Sequence, residues 1–232
     1  NIQPVVVLAE KLGLQPSFVT DIDIATTPNI LKGATTIVSG GHDEYWTLEE
    51  RNAYMTARDQ GTNVIFLGAN VEYWRVRLAP SALGPNRRIE IYKSGFEDPN
   101  KQAPTVKFRT QLISESQLVG MDYKCFPAKG NFTIRDPKFF LFNNTGVKSG
   151  ENFPGIMGPE VDQIPEKSQF VGKSYVVASN KVHCGNPLTS KWGTTNFFYG
   201  VSPSGAGTIS VGTMGWVTRG LSNGAPPKTA KM

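Results

Sequence analysis

The sequence predicts an α/β fold built on a parallel sheet, and three observations carry that expectation. Helical and strand-like segments alternate through the first 70 residues, the pattern of parallel α/β architecture. Residues 63–68 (Asn-Val-Ile-Phe-Leu-Gly) form a continuous apolar run of strand length, as a parallel strand covered on both faces requires. Gly40 and Gly41 lead from a second apolar segment, 35–39, into a polar run. The carboxyl ends of strands are where open α/β sheets hold their ligands.

Each element follows from local chemistry. Residues 4–13 read as a short helix, with Pro4 in its first turn and Gly13 after its last leucine. Residues 17–20 read as a strand before an acidic loop at Asp21–Asp23, and 29–33 as a helical turn. Thr47 caps the next helix, with Glu50 completing a capping box. That helix runs to Asp59, where Gln60 and Gly61 stop it. The chain opens on a helix where such sheets open on a strand, so a core short of its first strand is expected. Beyond residue 80 the texture becomes strand and loop, with strands expected at 87–93, 105–110, 173–178, 195–199 and 208–212. One domain is expected over 1–219, with an α/β part at 1–80 and a β-rich part at 81–219. The Gly/Pro/Lys-rich tail, 220–232, is expected to fray.

Composition narrows the class. Hydrophobic residues make up 39% and charged residues 19%, as in soluble globular proteins. The net charge of +5 is dispersed, Arg87-Arg88 being the only adjacent basic pair, so nucleic-acid binding is not expected. No run approaches the roughly 18 apolar residues of a membrane span. Cys125 and Cys184 form no CxxC pair, which argues against a thiolate zinc site and leaves two thiols or one disulfide.

Residues 39–46 (Ser-Gly-Gly-His-Asp-Glu-Tyr-Trp) hold one of only two histidines, followed directly by two carboxylates. Histidine titrates near neutrality and carboxylates bind hard cations, so His42, Asp43 and Glu44 suit metal-assisted hydrolysis. Adjacent residues of an extended chain point apart, and Gly40-Gly41 permits the turn that would gather them. The plainer alternative is a hydrogen-bonded loop that ends the strand. Tyr73-Trp74-Arg75 comes after the next strand end, where Arg75 or Arg77 could hold a substrate carboxylate or pair with Asp43 or Glu44. A structural ion pair is the alternative there. Glu160 and Asp162 put two carboxylates on one side of an extended segment, as a catalytic base or as a surface turn. His183-Cys184 is not expected to be a catalytic dyad, because neighbours in a strand face apart.

Gly40–Trp46, taken with Ala57–Asn63, Phe66–Asn70 and Tyr73-Trp74-Arg75, resembles the C-terminal domain of the N,N-dimethylformamidase large (beta) subunit. Gly158–Asp162 and Gly205–Trp216 extend the resemblance over about residues 5–217. It implies a glutamine-amidotransferase-like (flavodoxin-like) parallel core with β-rich elaborations. It also implies a hydrolase of C–N amide bonds in which a mononuclear iron, rather than zinc, activates water. In that family two tyrosines and a glutamate hold the iron. Glu44 matches the glutamate, His42 falls beside it as an acid/base group, and Glu160 matches a further catalytic glutamate. Arg75, Tyr73 and Asp43 are the expected substrate-binding groups. The family's tyrosines lie upstream of the motif, and none of the 41 residues before His42 is a tyrosine. The resemblance is nearest to actinobacterial exported relatives, implying an extracellular or cell-envelope setting and a small amide or cell-surface substrate. The competing expectation is a non-catalytic module that binds a surface or partner through the same cleft.

Overall fold

A computed structural model describes residues 2–186, 188 and 191–221. The first helix, α1 (Gln3–Lys11), has Pro4 in its first turn and is followed by Gly13 at φ 73°. Thr20 then caps α2 (Asp21–Thr26): its hydroxyl accepts the Asp23 N–H at 3.1 Å, and the Asp23 carboxylate accepts the Thr20 N–H at 2.9 Å. This reciprocal cap overturns the strand expected at 17–20 and turns the expected acidic loop into a helix. Strand β1 (Thr36–Ser39) leads to the two-residue β2 (Tyr45–Trp46) and then α3 (Leu48–Asp59). The Thr47 hydroxyl accepts the Glu50 N–H at 3.0 Å, but no bond returns from the Glu50 carboxylate. Only half of the expected capping box forms.

Next come β3 (Asn63–Phe66), β4 (Trp74–Arg75), β5 (Arg77–Ser81) and β6 (Gly84–Glu90). Residues 105–110, expected as a strand, instead lead into a 3-10 turn at Phe108–Gln111. There the buried Asp98 accepts both the Thr105 N–H and its hydroxyl at 2.7 Å, and the backbone makes only a single antiparallel bridge, Lys107 to Trp74, before the turn. The remainder comprises α4 (Ser116–Val119), β7 (Asp122–Cys125), β8 (Ala128–Thr133), β9 (Asn152–Met157), β10 (Val161–Gln163), β11 (Lys173–Cys184), β12 (Lys191–Val201), β13 (Gly207–Ser210) and a π-helical turn at Trp216–Gly220. Of the expected tail, residues 222–232 lie outside the described residues.

Seven strands join in the order β1-β3-β13-β12-β11-β8-β9. Only the β1/β3 and β3/β13 pairs are parallel; every other neighbour is antiparallel. Strand makes up 33% of the protein and helix 20%, so the flavodoxin-like, glutamine-amidotransferase-like parallel core is not what forms. The fold is a curled mixed sheet with three two-stranded ribbons. The reason is one of connections. Parallel strands need long crossovers, usually helical, whereas antiparallel strands need only a turn. After β3 the described residues contain a single α-helix, the four-residue α4. The two longest strands, β11 and β12, pair antiparallel along their length. The expected alternation of helix and strand therefore holds for β1, α3 and β3 and then gives way.

Two clusters make the core. Trp46, Tyr54, Phe66, Phe108 and Leu118 pack where α3 covers β1 and β3, with Trp46 and Tyr54 rings 4.6 Å apart. Phe132, Phe153, Met157, Phe197 and Trp216 fill the antiparallel side. The two cysteines are bonded, Cys125 of β7 to Cys184 of β11, with Cα atoms 5.7 Å apart. This joins the β7/β10 ribbon to the end of the large sheet.

The crosslink closes a loop of 59 residues, for which chain entropy gives a stabilisation of about 4 kcal/mol. The Cys125→Ser/Cys184→Ser double variant is expected to lose up to that much in denaturant unfolding, and the wild type to show no free thiol. A titratable thiol in the folded wild type would contradict the pairing.

Candidate active site

The three parallel strands end together, and the site is built from the turns at their carboxyl ends. After β1, Gly40 and Gly41 turn the chain into His42–Glu44. After β3, Gly68 leads into Asn70, and after β13, Gly212–Met214 carry the chain away. Gly68 approaches Gly41 so closely that a Cβ there would lie 2.0 Å from the Gly41 carbonyl oxygen, so only glycine fits. Asn70 comes next at φ 59° and Glu72 at φ 58°, both left-handed. Asparagine tolerates that region, but glutamate does so at a cost. Glu72 is fully buried and ion-paired with Arg51 of α3, which holds the turn closed.

The loops are then stitched by backbone. The N–H groups of Glu72, Tyr73 and Trp74 donate to the carbonyls of Asp43, Glu44 and Glu44 at 2.9, 3.0 and 2.9 Å. Strands β2 and β4 continue the contact as a parallel pair. As expected from the sequence, neighbouring strand ends bring the His42 and Tyr73 segments together. The third component comes from the far side of the sheet. The segment between β9 and β10 runs back across the end of β13, where the Met214 N–H donates to the Glu160 carbonyl at 3.2 Å and the Asp162 N–H to the Gly212 carbonyl at 3.1 Å. Gly158 permits this passage: at φ 116°, its Cβ would fall 2.1 Å from the Ala128 carbonyl oxygen.

The result gathers three of the expected residues. The His42 ring lies between two carboxylates, with Nε2 3.1 Å from Glu44 Oε2 and Nδ1 3.3 Å from Glu160 Oε2. Its side chain is 38% exposed, so solvent reaches the ring, while Glu44 and Glu160 are mostly covered. Burial, with Glu44 nearby, pushes the Glu160 carboxyl above its ordinary range, and His42 and an Asn70 hydrogen bond partly offset this. Tyr73 and Tyr123 pack nearby with ring centroids 4.9 Å apart. Burial raises the Tyr123 hydroxyl, reinforced by the charges of Glu160, Tyr73, Asp162 and Glu44.

The other expected residues face elsewhere. The Asp43 carboxylate turns to the opposite side of its loop, accepting from the Ser39 hydroxyl and the Trp46 indole, each at 2.7 Å. Neither arginine reaches Asp43 or Glu44. Arg75 donates to Gln111 at 3.2 Å, and Arg77 forks onto Asp98 at 2.8 and 2.9 Å. Tyr73 lies under the cations of Lys107 and Arg109, 4.9 and 5.1 Å from its centroid. An open groove of about 780 Å³ lies at the opposite ends of β1 and β3, beside Thr35 and Asn63, away from His42.

Asn70 is the residue that sequence reasoning passed over. Its amide donates to Glu160 Oε2 at 3.3 Å, its backbone N–H donates to Asp162 Oδ1 at 2.8 Å, and its buried Oδ1 has no partner. The available signal was its place at a strand end after Gly68-Ala69, matching that of His42 after Gly40-Gly41. Asp162 is also buried rather than at a surface turn. Burial raises its carboxyl to about 8 against an ordinary 3.8, the Asn70 N–H opposing. Between those values the unfolded chain is ionised while the folded protein keeps the proton, so stability falls as pH rises and levels off above the folded value. The cost is at most about 1.4 kcal/mol per pH unit. Asp162→Asn removes it, so melting scans from pH 5 to 8 are expected to show the variant gaining steadily on the wild type. Parallel curves would count against a buried, protonated Asp162.

No curated protein matches the chain. One family model does match, along nearly the whole sequence. Residues 3–227 match its profile, and the chain belongs to the N,N-dimethylformamidase beta subunit-like, C-terminal family.

Proposed function

We propose that this domain hydrolyses the C–N bond of a small amide, with Glu160 and His42 moving the protons. The observation that carries the reading is the imidazole bridging Glu44 and Glu160, with one edge open to solvent. Glu160 is suited to general acid–base work, since burial holds its affinity for a proton above that of a free carboxylate. In the proposed reaction a water adds to the amide carbonyl carbon while Glu160 takes its proton. The C–N bond then breaks as that proton passes to the nitrogen, giving a carboxylic acid and an amine. His42 holds Glu160 and Glu44 in register and shares their proton. The Asn70 amide fixes Glu160 from its other side. Tyr73, packed against Tyr123, walls the site.

The family resemblance implies an iron held by two tyrosines and a glutamate. The tyrosines packed beside Glu44 and Glu160, Tyr73 and Tyr123, follow the motif in the sequence, whereas that family's ligand tyrosines precede it. Both His42 ring nitrogens already face carboxylates, and Glu44 is the residue that matches the glutamate of that set. No step is therefore routed through a metal. A setting outside the cytoplasm is part of the same proposal, since a disulfide such as Cys125–Cys184 persists there.

With small formamides and acetamides as substrates, Glu160→Gln is expected to lower kcat by about 100-fold or more, with little change in KM. The acidic limb of the wild-type rate should lie above the ordinary glutamate value of 4.5 and vanish in the variant. Turnover of Glu160→Gln at the wild-type rate would overturn the assignment. Absence of any amide turnover in the wild type would favour the non-catalytic binding module.

A further inference from the structure

Three carboxylates outside the His42 site converge without an ion-paired counter-charge. Asp21 starts α2, Asp43 lies beyond the end of β1, and Glu50 lies in the first turn of α3; an oxygen from each falls within 4.8 Å of the other two. Carboxylates at helix starts are ordinary, because the macrodipole favours them. That accounts for an exposed Asp21 but not for Glu50. Glu50 is 1% exposed, and its Oε1 is buried with no hydrogen-bond partner. The bond that would have satisfied this carboxylate, back to the Thr47 N–H, is the missing half of the capping box. Its side chain is instead committed to the carboxylate cluster. Among the described residues, no lysine, arginine or histidine forms an ion pair with any of the three.

A buried, unpartnered carboxylate beside two others needs either a proton or a cation. The geometry favours a cation. Asp43 is already fixed by Ser39 and Trp46, one donor on each oxygen, which leaves a lone pair on each for a further partner. The donors are all hard oxygens, which select calcium, magnesium or manganese over softer metals. Calcium binds oxygen at about 2.4 Å, so two oxygens as far as 4.8 Å apart can share one ion, and the third closes on it with a small contraction. Magnesium, at about 2.0–2.1 Å in a strict octahedron, would require the cluster to contract further. The exposed Asp21 leaves one side open for entry and for the waters that complete a calcium shell.

We propose that Asp21, Asp43 and Glu50 form a calcium site that clasps the starts of α2 and α3 to the turn carrying His42. The site shares that turn with the proposed catalytic groups but not their side chains, since Asp43 points away from His42 and Glu44.

The test uses the whole chain after chelation, titrated with CaCl2 by calorimetry and by thermal melting. One equivalent of calcium is expected to bind with a Kd of about 1 mM or tighter, and the melting temperature should climb with calcium. Asp21→Asn, at an exposed position, should weaken binding at least tenfold while leaving the calcium-free melting temperature unchanged. Glu50→Gln should abolish the calcium response. Glu44→Gln should leave calcium binding intact. No heat and no melting shift in the wild type would overturn the proposal. So would retention of full affinity in both Asp21→Asn and Glu50→Gln, loss of calcium binding in Glu44→Gln, or a response to magnesium or manganese with none to calcium.

Discussion

The close approach of Gly68 to the Gly41 carbonyl sets the geometry of the whole site. It lets the turns after two neighbouring parallel strands lie against one another with no side chain between them. From that contact come the backbone bonds of residues 72–74 to Asp43 and Glu44, the short β2/β4 pairing, and the placement of Asn70 opposite His42. The third parallel strand brings Gly212–Met214 to the same edge, and these residues receive the arm bearing Glu160 and Asp162. A mixed sheet thus keeps, over three strands, the property that makes parallel sheets good at holding ligands.

Charge is handled unusually in this region. Glu72, Asp162 and Glu50 are all buried carboxylates around the His42 loop, and burial raises each, to about 8, about 8 and about 10. Glu72 has Arg51, and Asp162 has the Asn70 N–H, while Glu50 has neither. Such groups weaken a fold, as each must keep a proton or find a partner. Their concentration around one loop fits a region shaped for chemistry and ion binding more than for stability alone.

Much of the local structure was legible in the sequence. Pro4 and Gly13 marked the first helix, Thr47 and Gly61 bracketed α3, and the apolar run at 63–66 was a strand with parallel neighbours on both sides. The strand-end position of His42, and its convergence with Glu44, came from Gly40-Gly41. What the sequence hid was non-local. Thr20 and Asp23 have the spacing of a capping box, but Phe18-Val19 beside them read as strand, and the reciprocal Thr20–Asp23 bonds decide it. The long antiparallel hairpin of β11 and β12 does not alternate cleanly, because β12 buries four successive residues, Thr195–Phe198, so its extent and partner could not be read. Spacing alone left Glu160 and Asp162 open between a catalytic base and a surface turn, because nothing near them in sequence shows that the end of β13 will cover them. Asn70 was passed over for a simpler reason: an asparagine after a strand reads as a turn residue until its amide is seen reaching Glu160.

Whether backbone contact between two strand-end turns positions His42 can be read from Gly68→Ala, with imidazole nitrogen and carbon resonances as the probe. The protein has two histidines, and His183, packed against Trp192 with centroids 3.7 Å apart in the antiparallel part of the sheet, serves as an internal control. In Gly68→Ala the His42 signals are expected to shift and broaden while those of His183 remain at their wild-type positions. Wild-type His42 signals in a folded Gly68→Ala protein would show that the turn contact does not place the imidazole.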